Sequence, residues 1–209
     1  MQQRTYTDLK ALIQALAGVS SFTTEEDAKI VNLVNRRASQ AYNSSPSWSR
    51  YLVVSQERNI TTGNLIPFTQ GGLPTIDEFV RIHRTQAFLN NSALEYDFYV
   101  DANGANILNI INTDDTTAFC TYKKQLPVFT ADSNDLGDVD NSIPGEFFNF
   151  LAHATYADFL RMDGQHGKAL TEEQIAQSYL DSELEKIDIR NNNNSLNHKF
   201  STYVNRQSR

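Results

Sequence analysis

The chain has 209 residues, enough for one good core or for one domain that carries an insertion. It is 40% hydrophobic and 21% charged, the profile of an ordinary soluble globular protein, and no apolar run approaches the roughly 18 residues a membrane helix needs. It holds 18 Lys and Arg against 25 Asp and Glu, a net charge of −7, which argues against a general nucleic-acid binder with a basic face.

That charge is unevenly spread. Residues 190–209 contain Arg190, Lys199, Arg206 and Arg209 and no acid, so residues 1–189 carry 14 bases against 25 acids. A patterned acidic body therefore ends in a basic, hydrophilic arm with too few apolar residues to fold alone. The single cysteine, Cys120, excludes an intrachain disulfide and a multi-thiolate metal site within one chain. The first residues, Met1 to Tyr6, lack the apolar run of a signal peptide, so a cytoplasmic product is expected.

Leu9, Leu12, Ile13 and Leu16 share one stripe of a 3.6-residue period and predict a helix over 7–17, stopped by Gly18. Thr23 with Glu26 fits a capping box, and the acids Glu25, Glu26 and Asp27 suit the positive end of a helix dipole. The second helix then turns Ile30, Val31, Val34, Ala38, Ala41 and Tyr42 to one side and ends at Ser44-Ser45-Pro46.

From Trp48 to about Gln125 the period falls to two, with strand signals over 51–54, 59–68, 78–84, 95–101, 107–111 and 116–124. Residues 59–68 read as strand, turn and strand around Thr62-Gly63-Asn64, and Asn103-Gly104 is a strong hairpin turn. Residues 130–142 form a polar, acidic loop. Pro144 marks the start of a third helix, largely buried through Phe147, Phe150, Leu151, Ala154 and Leu160, and Asp163-Gly164 stops it. Thr171-Glu172-Glu173 suggests the cap of a fourth, with Ile175, Tyr179, Leu180, Leu184 and Ile187 on its apolar side.

The expected fold is thus α+β. N-terminal and C-terminal helix pairs (1–47 and 144–189) form a four-helix bundle. An antiparallel β module, sandwich or small barrel, is inserted over 48–143 with the acidic loop, and an extended C-terminal arm follows over 190–209.

Four clusters invite chemistry. Asp132, Asn134 and Gly137 match part of a calcium loop, but Leu136 and Ile143 stand where oxygen ligands are needed, so a solvated acidic loop is expected. His153, Asp158, Asp163 and His166 fall near the end of the third helix, yet His153 and Asp158 are five apart and off the stacking register of a helical metal or acid–base pair. Arg81, His83 and Arg84 could face a phosphate, but they lack a Gly-rich loop and alternation alone places them. Cys120 reads as a small buried apolar residue. In the arm, Leu196, Phe200, Tyr203 and Val204 are interspersed with the bases, and Phe200, Tyr203 and Val204 at i, i+3 and i+4 could form a short amphipathic helix or lie along a partner's groove.

Several segments also carry a family likeness: Asp8-Leu9-Lys10-Ala11-Leu12-Ile13, residues 34–42 (VNRRASQAY), Trp48-Ser49-Arg50-Tyr51-Leu52-Val53-Val54, Phe79-Val80-Arg81-Ile82-His83-Arg84, Tyr122-Lys123-Lys124-Gln125 and residues 157–165 (ADFLRMDGQ). In element order and texture, over about residues 5–190, the chain resembles the head-to-tail adaptor (connector or neck) proteins of tailed bacteriophages, most of all the tubular adaptors of short-tailed phages.

The resemblance implies a virion protein, assembled in the host cytoplasm. It implies a homo-oligomeric ring, usually of twelve copies, under the portal protein. The ring gives a platform for the tail nozzle or tail tube protein, and its lumen passes genomic DNA without specific binding. It implies no catalysis, cofactor, metal or membrane, and it makes the arm the portal-docking segment, with Arg190, Phe200, Tyr203, Arg206 and Arg209 as its contacts. The alternatives are a tail terminator or stopper ring, and a small metal-dependent hydrolase using His153, Asp158 and His166.

Overall fold

A computed structural model of the chain describes residues 3–86, 93–135 and 142–207, with side chains for 4–86, 93–135 and 142–189. Among these it is a mixed α+β protein with four helices and two small antiparallel three-stranded sheets. The elements in chain order are β1 (Gln3–Arg4), α1 (Tyr6–Ala17), α2 (Thr24–Asn43), β2 (Leu52–Asn59), β3 (Leu65–Pro67), β4 (Ile76–His83), β5 (Tyr96–Val100), β6 (Asn106–Ile110), β7 (Thr117–Lys124), β8 (Ile143–Pro144), α3 (Gly145–Met162) and α4 (His166–Gln207). The chain divides into two units: Met1–Ser45 with Pro127–Arg209, and Pro46–Leu126.

In the helical unit, α1 begins one residue before the expected start because Thr5 caps it in a reciprocal box with Asp8, and Gly18 closes it in the left-handed conformation (φ 69°). The Thr23–Glu26 box starts α2 as its sequence predicts. α3 is the hub and packs against α1, α2 and α4. Its Phe147, Phe150, Leu151, Ala154, Ala157 and Leu160 are buried, which places most of its surface in the core. A two-stranded ribbon pairs Arg4 with Ile143 at the foot of α3.

The segment after Pro127 is stapled to the helices by side-chain amides. The Asn35 amide on α2 donates to the Phe129 carbonyl (2.8 Å) and accepts from the Phe129 N–H (2.8 Å), pairing with the main chain as a strand neighbour does. Asn134 Oδ1 accepts from the N–H and hydroxyl of Thr7 (3.0 Å each), and the Ser133 carbonyl accepts from the Tyr6 N–H. These bonds satisfy donors at the start of α1 that no intrahelical carbonyl reaches.

α4 starts at His166, five residues before the expected cap. The Ala169 N–H already donates to the Gln165 carbonyl (3.0 Å), and Ala169 is buried. The buried stripe is Ala169, Ala176, Leu180 and Ile187; Ile175 and Leu184 flank it, and Tyr179 lies toward solvent. The second correction concerns the arm: where an extended segment was expected, the backbone continues in α4 through Gln207. Residues 190–207 contain no Pro or Gly to interrupt it, and extending a nucleated helix adds one hydrogen bond per residue fixed.

In the β unit, sheet order is β2-β7-β4 and β3-β6-β5, all antiparallel. Ile66, Ile76, Ile82, Leu108, Ile110, Ala118, Cys120 and Tyr122 from both sheets form one core. The Asn103-Gly104 hairpin is present between β5 and β6, with the Asp101 carboxylate accepting from the Asn103 and Ala105 N–H groups. The turn at 61–65 also forms, closed by a Thr61–Leu65 bridge, but its flanks do not make a hairpin. β2 pairs with β7 and β3 with β6, so the two arms enter different sheets.

Candidate functional site

The most organised polar site lies where α2, α3 and α4 meet. Arg37 is 5% exposed and Asp158 4%, so neither charge has bulk water to solvate it. The Arg37 guanidinium meets Asp158 side-on: Nε donates to Oδ2 (2.7 Å) and Nη2 to Oδ1 (2.8 Å). It also donates from Nη1 and Nη2 to the two carboxylate oxygens of Glu173 (2.9 and 2.7 Å), and from Nη1 to Gln40 Oε1 (2.8 Å). Every N–H of the guanidinium fork is thereby used.

Asp158 is saturated in the same way. Besides Arg37, Oδ2 accepts from Arg36 (2.8 Å) and Oδ1 from Arg161 (3.0 Å), while Arg161 also reaches Glu173 (3.0 Å). A carboxylate offers about four lone-pair positions, and here all are taken.

The titration behaviour follows from this geometry. Burial pushes Asp158 up, but hydrogen bonds from Arg37 and Arg161 and the charges of Arg37 and Arg36 overcome it and hold the carboxyl below its ordinary value. Burial likewise lowers Arg37, and its bonds to Asp158 and Glu173 more than reverse that. A general acid needs a proton to give, and a metal ligand needs a free lone pair. The Asp158 carboxylate has neither, and the arrangement serves to lock three helices in register.

A second clasp sits beside the first. His153 Nδ1 lies 2.7 Å from Glu172 Oε2, and the His153 ring stacks on Tyr179 with centroids 5.4 Å apart. Glu172, Glu173 and Tyr179 all belong to the N-terminal half of α4, so this helix is held by ion pairs and ring stacking as well as by its apolar stripe.

The remaining candidates separate. His153 and Asp158 take different partners, and Asp163 and His166 are exposed on the turn and first residue of α4, so the structure does not assemble the four into one centre. Arg84 pairs with Asp115 (2.8 Å), His83 is buried and Arg81 is exposed, so no shared phosphate pocket forms. Burial pushes the Cys120 thiol up to about 12, which removes it as a nucleophile at neutral pH. The Asn134 oxygen of the acidic loop is spent on α1, and Leu136 and Gly137 of the calcium-like pattern lie outside the described residues. Among the described residues no group of three or more His, Cys, Asp or Glu side chains could hold a metal ion, and no helix is long and apolar enough to cross a membrane.

Of the arm residues, Arg190, Phe200, Tyr203 and Arg206 fall on the helical backbone of α4, but their side chains are outside the described residues; Arg209 is outside them altogether.

Sequence reasoning missed three buried cations, Arg37, Arg58 and Lys123. Arg37 lies seven residues after Ile30 and three after Val34, on the stripe that the sequence already turned inward, whereas Arg36 falls off it; the 3.6-residue period was the available signal. Arg58, 1% exposed in the β unit, donates to the Phe68 carbonyl (3.3 Å), the Pro74 carbonyl and the Tyr122 hydroxyl (2.9 Å), with its guanidinium over the Tyr122 ring. It falls between the strand signals at 51–54 and 59–68, so no alternation pointed to it. No family model and no characterised protein sequence matches this chain.

Proposed function

We propose that the chain is a non-enzymatic structural protein of a tailed-phage virion, a ring subunit set between portal and tail. In this reading the four helices act as one bundle and the β unit offers subunit contacts or a platform for the tail nozzle or tube. Residues 190–209 dock on the portal, and genomic DNA passes through the lumen without specific binding. The observation that carries the reading is the mounting of α4. Its first turns are fastened to α2 and α3 by the saturated Arg37–Asp158–Glu173 cluster and by the His153–Glu172 pair, and its far end bears the basic residues.

Residues 190–207 as helix reach about 27 Å at 1.5 Å per residue, far enough to engage a separate protein. Charge supports the same reading, because an acidic body does not hold DNA phosphates while a basic arm suits an acidic protein groove. A tail terminator or stopper ring draws on the same features and differs in the partner it meets. The engagement of His153 and Asp158 with other side chains favours either ring over the hydrolase.

The test mixes the purified chain with portal rings and images the product by electron microscopy, alongside a truncation after Ile189. The full chain is expected to decorate portals as a closed ring and the truncation to leave them bare. A full-length protein that never decorates portals overturns the adaptor reading. A truncation that docks equally well overturns the role of the arm alone.

A further inference from the structure

We draw no further inference here: the strongest candidate, the surface patch on edge strand β5 of the β unit where Phe98, Tyr99 and Val100 stand exposed, carries nothing because nothing in the structure shows what covers it.

Discussion

Asp158 illustrates why a buried charge is better judged by its partners than by its presence. Its pairing with Arg37 offsets the desolvation of both groups only because every lone pair and every N–H is used. Removing one partner strands the other. Asp158→Asn is expected to destabilise the helical unit by about 3 kcal/mol or more, which at about 2–4 °C per kcal/mol lowers Tm by roughly 6–12 °C. Arg36→Ala, at a largely exposed side chain, should stay within about 1 kcal/mol. The same pairing sets a pH dependence. The folded-state pKa of Asp158 lies below its unfolded value of about 3.8, so the unfolded chain takes up the proton first as pH falls. The contribution is full above the unfolded value and is lost as pH falls through the folded one. Acid titration of stability should therefore show a decline beginning near pH 4 that is shallower in Asp158→Asn. An unchanged acid limb in that variant would remove Asp158 from the account.

Among the elements, those with local signals were legible. The Thr23–Glu26 box and the Gly18 stop act within four residues of the ends they define, and both ends stand as read. The start of α4 was not legible, because Thr171-Glu172-Glu173 has the look of a helix cap while its acids serve Arg37, Arg161 and His153, all distant in sequence. The strands were placed by alternation, yet the order β2-β7-β4 depends on pairings that no short window contains. The candidate site shared this limit. Asp158 was singled out for chemistry by its type and position, and only its arginine partners reveal a fastening. The Asn35–Phe129 pairing is equally non-local. Asn35→Asp keeps an acceptor for the Phe129 N–H but turns a carboxylate oxygen toward the Phe129 carbonyl. A stability loss of about 1–3 kcal/mol is expected, as for a buried group left unmatched. Hydrogen exchange should speed at the Phe129 amide while the amides of α2 keep their protection; exchange rising equally along α2 would mean that Asn35 supports the helix rather than the strap.

Across the whole molecule the separation of charge is the property most open to experiment. The basic residues end a helix whose stretch beyond Ile189 runs about 27 Å, while the Debye length at physiological ionic strength is about 8 Å. By position 199 the helical backbone is already about 15 Å beyond Ile189, more than one screening length. If residues 190–209 dock on an acidic groove, raising salt from about 0.1 M to about 1 M shortens the screening length from about 10 Å to about 3 Å and should weaken portal binding progressively. R206A/R209A should bind less tightly than wild type at low salt and converge with it at high salt, because the contacts removed are the ones salt already suppresses. F200A/Y203A should lower affinity by a similar factor at every salt concentration, because apolar burial is not screened. Binding isotherms of the three proteins on immobilised portal rings decide between these behaviours. Parallel curves for wild type and R206A/R209A would assign docking to the apolar residues and leave the charge asymmetry to keep the acidic body off DNA.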